Sequence, residues 1–260
     1  MFFGYLLYFL QVSYYEDIFK IEKIYEDDDL LVLNKPFGLV VNRSNTTKSR
    51  TLQDILEEEY RVFDYSSQLP VETDFEVEYS SRSGIVHRLD KDTSGVIVVA
   101  KDYDTFLDLQ KQFKSREIKK NYLALVFGYP QQYLFEVNAP ISRNPMNRLT
   151  YAIVKDGKEA LTRFEVISVH AFEEYNLALL NVMPLTGRTH QIRVHLKALN
   201  MPIVGDVLYS TAKQINFARV HFGRMMLHAH KIMLKHPKLR KDMIFEAALP
   251  KMFDSFLLGN

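Results

Sequence analysis

The stretch that decides the fold is residues 84–101, GIVHRLDKDTSGVIVVAK. Its second half, GVIVVAK, is apolar and rich in β-branched residues, which is typical of a buried strand. Its first half contains HRLD, in which three polar residues surround one leucine. Asp90, the last of these, therefore lies on a loop that leads directly into core sheet, where its carboxylate is held rigidly and partly desolvated. Both conditions suit a catalytic acid, base or nucleophile.

The composition is that of an ordinary globular protein, with 47% hydrophobic and 25% charged residues in a chain of 260. Such a chain can bury a sizeable core, as one large domain or two small ones. The chain contains no cysteine. This excludes a disulfide framework and thiolate metal sites, and it fits a location in the reducing cytoplasm.

The charge is unevenly distributed, although the net charge is only +1. Residues 21–80 contain 6 Lys and Arg against 14 Asp and Glu, a local charge of −8, whereas residues 81–260 contain 26 against 16, a local charge of +10. A basic portion joined to an acidic one suggests a polyanionic partner that contacts mainly the later part of the chain. A solvated mixed surface would give the same counts, so charge alone leaves both interpretations open.

The N-terminal segment MFFGYLLYFLQV, residues 1–12, is strongly apolar. It is too short to span a bilayer, and it lacks the basic start and the small-residue cleavage site of a secretory signal. We therefore expect no membrane association. Residues 1–19 are treated as an apolar leader of unknown role, and residues 20–260 are expected to form one domain.

Hydrophobic periodicity and turn residues divide the chain into short strands and a few helices. Strands are predicted over residues 19–24, 30–33, 95–101, 122–127, 134–137, 150–154, 160–169, 177–182, 226–234 and 243–247. Helices are predicted to begin at Thr51 and at Asp104, each acting as an N-cap, and to occupy residues 190–199. The acidic segment 64–83 is interpreted as a surface loop. Closely spaced strands indicate a fold of the α/β class (α+β type), with a mixed, largely antiparallel sheet flanked by helices.

A semi-buried Asp90 must be paired or neutralised. Arg193 is the expected partner, because it lies in the densest polar motif, LTGRTHQIRVH at residues 185–195, and its guanidinium stays charged and offers a planar fork. A purely structural ion pair would also explain both residues, since breaking a buried pair costs about 3–5 kcal/mol. These residues alone leave the catalytic and the structural interpretation open.

Several of these motifs together resemble the RluA-type family of RNA pseudouridine synthases. HRLDKDTSG at residues 87–95 resembles the family signature, and LVLNKPFGLV at residues 31–40 resembles its opening motif. Its later motifs are matched, in the same order, by Lys120-x-Tyr122, GRTHQIRVH at residues 187–195, Gly205-Asp206 and Leu227-His228-Ala229. The resemblance covers nearly the whole chain and implies the pseudouridine synthase catalytic fold with a central cleft, formed by residues 20–260.

The resemblance implies isomerisation of specific uridines to pseudouridine in structured RNA, either ribosomal or transfer RNA. Asp90 would be the catalytic aspartate, acting as a nucleophile on the base or sugar or as the base that starts a glycal route. Tyr122 would stack on the uracil, and Arg193 would pair with Asp90 and keep it ionised. The family uses no cofactor and no metal, and we expect a monomer.

Further residues are expected to bind the RNA. By the resemblance, Arg88 would fill the gap left by the flipped nucleotide and Leu227 would line the pocket. The expected substrate-binding residues are His87, Arg88, Leu89, Lys114, Lys119, Lys120, Arg188 and Leu227. Phosphate contacts, which position RNA without reading its sequence, are expected from Lys111, Lys114, Arg116 and Lys119. For these basic residues a plain solvated surface remains an alternative.

The chain departs from one feature of the family. Many members carry a small separate RNA-binding domain ahead of the catalytic one, whereas the opening motif here begins at Leu31. We therefore expect a stand-alone catalytic domain, in which RNA is selected by the domain itself, by its loops or by the shape of the substrate.

Two rival interpretations remain open. One is a catalytically silent RNA-binding protein on the same fold. The other is a metal-dependent hydrolase built on His87, His190 and His195 with Asp90. The spacing argues against the second, because His190 and His195 are five positions apart, not the four that place two ligands on one helix face. A chelator that abolished activity would favour the hydrolase.

Overall fold

The computed structural model describes residues 21–44, 47–60 and 74–257. Its strands are β1 (Glu22–Glu26), β2 (Leu30–Lys35), β3 (Ser94–Ala100), β4 (Lys119–Phe127), β5 (Leu134–Asn138), β6 (Ile141–Arg143), β7 (Tyr151–Ile153), β8 (Leu161–Phe172), β9 (Tyr175–Pro184), β10 (Leu227–Lys235) and β11 (Asp242–Glu246). Its helices are α1 (Leu52–Glu58), α2 (Asp74–Ser81), α3 (Tyr103–Lys114), α4 (Gln191–Ala198), α5 (Ala212–His221) and α6 (Asp254–Leu257), with a 3₁₀ turn at Lys251–Phe253. None of the helices in these ranges is long and apolar enough to cross a membrane.

In the part of the chain that the structure describes, nine strands form one sheet in the order β1-β2-β3-β10-β4-β9-β8-β5, and β11 pairs with β10. Strands β6 and β7 form a separate two-stranded sheet. In the large sheet the pair β3–β10 is parallel, and the other pairs are antiparallel. The predicted mixed, largely antiparallel sheet flanked by helices is therefore confirmed.

Both faces of the sheet are covered by helices. Along β3, Ile97 and Val99 belong to the core covered by α1, whereas Val96 and Val98 belong to the core covered by α3. This is the period-2 alternation of a strand, and every residue of β3 is buried because both of its faces are packed. In the second half of the sheet, β4 and β9 are covered by α5 on one face and by α4 on the other.

Two helix starts follow their capping chemistry. Thr51 caps α1, as the sequence predicts. It also forms a capping box with Asp54. The prediction that Asp104 caps the next helix is wrong by two residues. Asp102 is the N-cap of α3, because its carboxylate accepts the backbone N–H of Thr105 at 2.9 Å, and Asp104 lies in the first turn.

The loop predicted over residues 64–83 is wrong over its last part. Residues 64–73 lie outside the described residues, whereas residues 74–81 form α2. This helix is anchored by Tyr79, whose ring packs against those of Phe106 and Tyr103 at centroid distances of 5.4 and 5.8 Å. The helix α5 is not predicted from the sequence, although Thr211 and Gln214 form a capping box at its start. Both helices have weak apolar periodicity, and tertiary contacts stabilise them.

A partly buried hydrogen-bond network joins the turn between β1 and β2 to the turn between β10 and β11. Asp27 accepts the hydroxyl of Tyr25 at 2.6 Å, the backbone N–H of Leu30 at 2.7 Å and Nε2–H of buried His236 at 2.9 Å. The Nδ1 atom of His236 accepts the backbone N–H of Leu239 at 3.1 Å. Although Asp27, Asp29 and His236 lie close enough to hold a metal ion, Asp27 and His236 are already engaged as turn-stabilising groups.

Asp27 is expected to make folding sensitive to acid. Burial opposes ionisation, but the hydrogen bonds that Asp27 accepts outweigh it and lower its pKa to about 2, from 3.8. Its contribution to the free energy of unfolding, about 2 kcal/mol, is therefore present above pH 4 and is lost as the pH falls from 4 towards 2. We expect Asp27→Asn to lower the thermal midpoint at pH 7 and to differ from wild type by about half as much at pH 3, where part of the contribution is lost. An equal difference at both pH values would contradict this role.

Candidate active site

A cleft of about 850 Å³ opens at the centre of the sheet, where β3, β10, β4 and β9 are adjacent. The three residues predicted to be catalytic, Asp90, Tyr122 and Arg193, all line it. So do seven of the residues predicted to bind substrate, namely His87, Arg88, Leu89, Lys114, Lys120, Arg188 and Leu227. The fold therefore brings together residues that are more than 100 positions apart in the chain.

The Asp90 loop is tied to the loop after β2 by Lys35. This side chain is fully buried, and its Nζ donates to the carbonyl oxygens of Pro36, Leu39 and Lys91 at 2.8, 2.8 and 3.1 Å. Burial lowers the pKa of Lys35 to about 7, and the nearby Asp92 and Asp90 partly oppose this. The backbone N–H of Gly38 also donates to Lys91 O, at 2.9 Å. These bonds fix the backbone next to Asp90.

Gly95 allows β3 to approach β10 at the cleft. Its φ of +115° lies in a region that side chains with a Cβ rarely adopt. A Cβ at this position would lie 2.2 Å from the carbonyl oxygen of Ala229. Only glycine therefore permits the parallel pairing of β3 with β10 here, which places Leu227, at the start of β10, in the wall of the cleft.

The expected ion pair between Arg193 and Asp90 is present, and the same guanidinium also pairs with a second carboxylate. Arg193 Nη1 donates to Asp90 Oδ2 at 3.0 Å. The same guanidinium makes a bidentate pair with Asp206, from Nε to Oδ2 at 2.7 Å and from Nη2 to Oδ1 at 2.8 Å. Asp206 is fully buried and Arg193 is 4% exposed, whereas Asp90 is 21% exposed. Asp206 therefore fixes the guanidinium, and Arg193 directs Nη1 at Asp90.

The exposed side of Asp90 faces the cleft. In the described parts of the chain, Asp90 Oδ1 has no hydrogen-bond partner, whereas Oδ2 accepts from Arg193. A carboxylate held at one oxygen and unengaged at the other can act as a nucleophile or accept a proton.

Tyr122 lines the cleft from β4. It is half-buried, and it packs against both the core covered by α1 and the core covered by α4. Burial, together with the negative charge of Asp90, raises the pKa of its hydroxyl well above the usual range. Tyr122 is therefore neutral at physiological pH, and it offers the cleft an aromatic ring suited to stacking.

His190 lies beside Asp90, at the start of α4. Its Nε2 is 3.8 Å from Asp90 Oδ2, and its Nδ1 is 2.9 Å from the hydroxyl of Tyr209. Its backbone adopts the left-handed conformation, with φ 55°, which is uncommon for a residue other than glycine. Burial lowers the pKa of His190, so the imidazole is neutral at pH 7.

The loop that carries Arg188 and His190 is held by Gln191. Gln191 Oε1 accepts the hydroxyl of Thr186 at 2.7 Å and the backbone N–H of Arg188 at 2.9 Å. Its Nε2 donates to the carbonyl oxygen of Leu161 at 3.0 Å. This buried amide closes the loop on itself and fixes the first turn of α4, from which Arg193 reaches Asp90.

The basic residues divide into two groups. The cleft is lined by Arg88, Lys111, Lys114, Arg116, Lys120 and Arg188. Lys119 is exposed and does not line the cleft, because it precedes Lys120 on β4 and alternate residues of a strand face opposite sides. Burial lowers the pKa of Lys120 to about 8. Lys119 is thus the one predicted substrate-binding residue that the structure does not bring to the others.

Of the three histidines proposed as metal ligands, His190 lies beside Asp90, whereas His87 and His195 make hydrogen bonds elsewhere. His87 Nε2 accepts the backbone N–H of Val98 at 3.0 Å, and burial lowers the pKa of this imidazole to about 3. His195 is fully buried, and its ring nitrogens lie 2.9 Å from the hydroxyl of Thr162 and 3.1 Å from the carbonyl oxygen of Ala139. Both residues are engaged in structural hydrogen bonds, which argues against the metal-dependent hydrolase.

Sequence reasoning missed the supporting residues of the site. The sequence motifs include Asp206, which holds Arg193, without indicating its role, and they indicate no role for Tyr209 or Gln191. The signal that could have revealed Asp206 is the acidic residue directly after Gly205, in a chain segment otherwise apolar from Met201 to Leu208.

Comparison with known proteins identifies the family of this chain. Residues 29–198 match the family model for RNA pseudouridylate synthases. An RNA pseudouridine synthase of Aquifex aeolicus is 39% identical over 89% of this chain and 70% of its own length. The ribosomal large subunit pseudouridine synthase D of Nitrosomonas europaea is 37% identical over 92% of this chain and 64% of its own length.

A solved structure shares the fold. The human RNA pseudouridylate synthase domain containing 1 has a TM-score of 0.70 and 27% identity, and the match covers 91% of this chain and 88% of that one. The family match, the relatives and the shared fold do not favour a catalytically silent protein. The chain belongs to the RNA pseudouridylate synthase family and is an isomerase of the RNA pseudouridine synthase class.

Proposed function

We propose that Asp90 is the catalytic aspartate, and that the enzyme isomerises specific uridines in structured RNA, either ribosomal or transfer RNA. The observation that carries this proposal is the Asp90 carboxylate, held by Arg193 at 3.0 Å in a cleft that Tyr122 also lines. In the reaction the bond from C1′ to N1 breaks and the bond from C1′ to C5 forms. The proton on C5 leaves, and N1 gains one.

Asp90 has two ways to take part. As a nucleophile it would form a covalent bond to the base or sugar, which later breaks. As a base it would remove the proton from C2′, giving a glycal, and then return it. In both routes Arg193 stabilises the ionised carboxylate before the step, and the cleft keeps the detached uracil close to C1′ while it turns.

The target uridine must leave its stack to reach Asp90, at a cost of a few kcal/mol. Stacking of uracil on Tyr122 recovers about 1–3 kcal/mol. We assign to Arg88, which is exposed at the rim of the cleft, the space that the flipped nucleotide leaves. His87, Leu89, Lys120, Arg188 and Leu227 are proposed to contact the flipped nucleotide and its neighbours, since all of them line the same cleft.

The proposal also covers the RNA substrate, the oligomeric state and the cellular compartment. Ribosomal RNA is the substrate class supported by a relative whose name includes the ribosomal large subunit, and transfer RNA remains the second candidate. We propose that residues 20–260 act as a monomeric catalytic domain in the cytoplasm, where a chain without cysteine meets a reducing environment.

Lys114 and Lys119 form a matched pair for testing phosphate contacts. Lys114 is exposed and lines the cleft, and Lys119 is also exposed but lies outside it. We expect Lys114→Ala to weaken binding several-fold for every RNA tested and to reduce the slope of log K against log salt by about 1. Lys119→Ala is expected to leave both quantities unchanged. A wild-type affinity and slope for Lys114→Ala would mean that Lys114 only faces solvent.

The function is tested by mapping pseudouridine in total RNA from cells with and without the protein. We expect one or a few positions to lose the modification when the protein is removed and to regain it when the purified enzyme is added to the extracted RNA. Unchanged maps would contradict the proposed substrate. Restoration in transfer RNA alone would exclude ribosomal RNA.

A further inference from the structure

We propose that His190 recognises the ribose 2′-hydroxyl of the target uridine and shares it with Asp90. The inference rests on the proposed function, because it takes Asp90 as the group that meets the sugar. It identifies His190 as a substrate-recognition residue of the cleft and names the 2′-oxygen as the substrate atom that His190 contacts.

The hydrogen bonds around Tyr209 fix the proton on the imidazole. The Tyr209 hydroxyl accepts the backbone N–H of Tyr151 at 2.8 Å and lies 2.9 Å from His190 Nδ1. Within the described residues its proton has only Nδ1 as an acceptor, and a buried hydroxyl proton is almost always donated. Nδ1 therefore accepts, and the proton of the neutral imidazole is on Nε2. This N–H points to the side of the ring where Asp90 lies.

The gap between His190 and Asp90 has the size of one bridging atom. His190 Nε2 and Asp90 Oδ2 are 3.8 Å apart, which is too long for a hydrogen bond between them. An oxygen atom placed roughly 2.8 Å from each would complete two hydrogen bonds. Both groups line the cleft, and the imidazole is 15% exposed, so a substrate atom can reach this position.

The chemistry of the two groups selects a hydroxyl. The bridging group must accept a hydrogen bond from Nε2–H and donate a hydrogen bond to the carboxylate. A uracil carbonyl only accepts, a uracil N–H only donates, and a phosphate oxygen would be repelled by Asp90. Among the groups of a nucleotide within an RNA strand, the 2′-hydroxyl is both donor and acceptor. Its recognition would also bring C2′ and C1′ close to the carboxylate.

The imidazole is held rigidly enough to select a single atom. The rings of Tyr151 and Tyr209 meet it edge to face, at centroid distances of 5.4 and 5.7 Å. The guanidinium of Arg193 lies over the Tyr209 ring at 5.1 Å, which joins this support to the group that holds Asp90. A donor that is fixed before binding loses little entropy when the substrate arrives.

The test compares two RNA oligonucleotides that contain the uridine located by the mapping experiment. One carries ribose throughout, and the other carries 2′-deoxyuridine at the target position only. We expect wild type to bind the deoxy form about tenfold more weakly. The ratio of the dissociation constants of the deoxy and ribose RNAs is expected to be at least threefold smaller for His190→Ala than for wild type, because this variant has already lost the contact. Comparing the two ratios cancels the effect of the deoxy substitution on sugar pucker, because that effect is common to both proteins.

Two further variants complete the test. Lys197→Ala, on the exposed side of the same helix, is expected to keep the full ratio. Tyr209→Phe keeps the ring but releases Nδ1, so an intermediate ratio is expected, and it serves if His190→Ala fails to fold. A wild-type ratio in folded His190→Ala, or in Tyr209→Phe in its place, would overturn the contact. Failure of the proposed function appears separately, as normal turnover by a variant of Asp90.

Discussion

Asp90→Asn is expected to reduce the conversion of uridine at least about 10³-fold, while RNA affinity stays within a few-fold of wild type. Asparagine has the shape of aspartate and still accepts a hydrogen bond from Arg193, but it can neither act as the nucleophile nor remove a proton. Because the proton on C5 leaves during the reaction, release of tritium from RNA labelled at uridine C5 measures the conversion directly. Binding is measured with the same RNA.

The matched control is Asp92→Asn. It makes the same chemical change two residues along the same loop, at a half-buried position that does not line the cleft. We expect its turnover to remain within a few-fold of wild type. Normal turnover by Asp90→Asn, or equal losses in the two variants, would show that Asp90 is not the reacting carboxylate.

Arg193→Ala is expected to destabilise the fold by about 3–5 kcal/mol and to impair turnover as well. The substitution removes the partner of two carboxylates at once, and one of them, Asp206, is completely buried. An unpaired buried charge is among the most costly defects in a protein. Because the chain contains no tryptophan, urea unfolding followed by far-UV circular dichroism is the appropriate measurement.

A second variant separates charge from geometry. Arg193→Lys keeps the positive charge but loses the fork that binds Asp206 through two nitrogens and Asp90 through a third. We expect an intermediate loss of stability and a large loss of turnover. An unfolding free energy for Arg193→Ala within about 1 kcal/mol of wild type would mean that the pair with Asp206 contributes little.

Residues whose structure depends on local pattern were the most predictable from the sequence. The run after Gly95 forms the buried strand β3, and Thr51 caps α1, because β-branched periodicity and capping act over a few neighbouring residues. The pairing of Asp90 with Arg193 followed from a different rule, that a partly buried carboxylate needs a partner. The helix at 74–81 and α5 were missed, since tertiary contacts stabilise them more than their own pattern does.

The sequence by itself determined the largely antiparallel α/β class, the family and the three residues expected at the centre of the site, since motifs and periodicity are written along the chain. Only the tertiary structure decided that Asp206 holds Arg193, that His190 and Tyr209 stand beside Asp90, and that Lys119 lies outside the cleft. These relations join residues from separate elements. Their distances depend on how strands and helices pack, which no local stretch of sequence specifies.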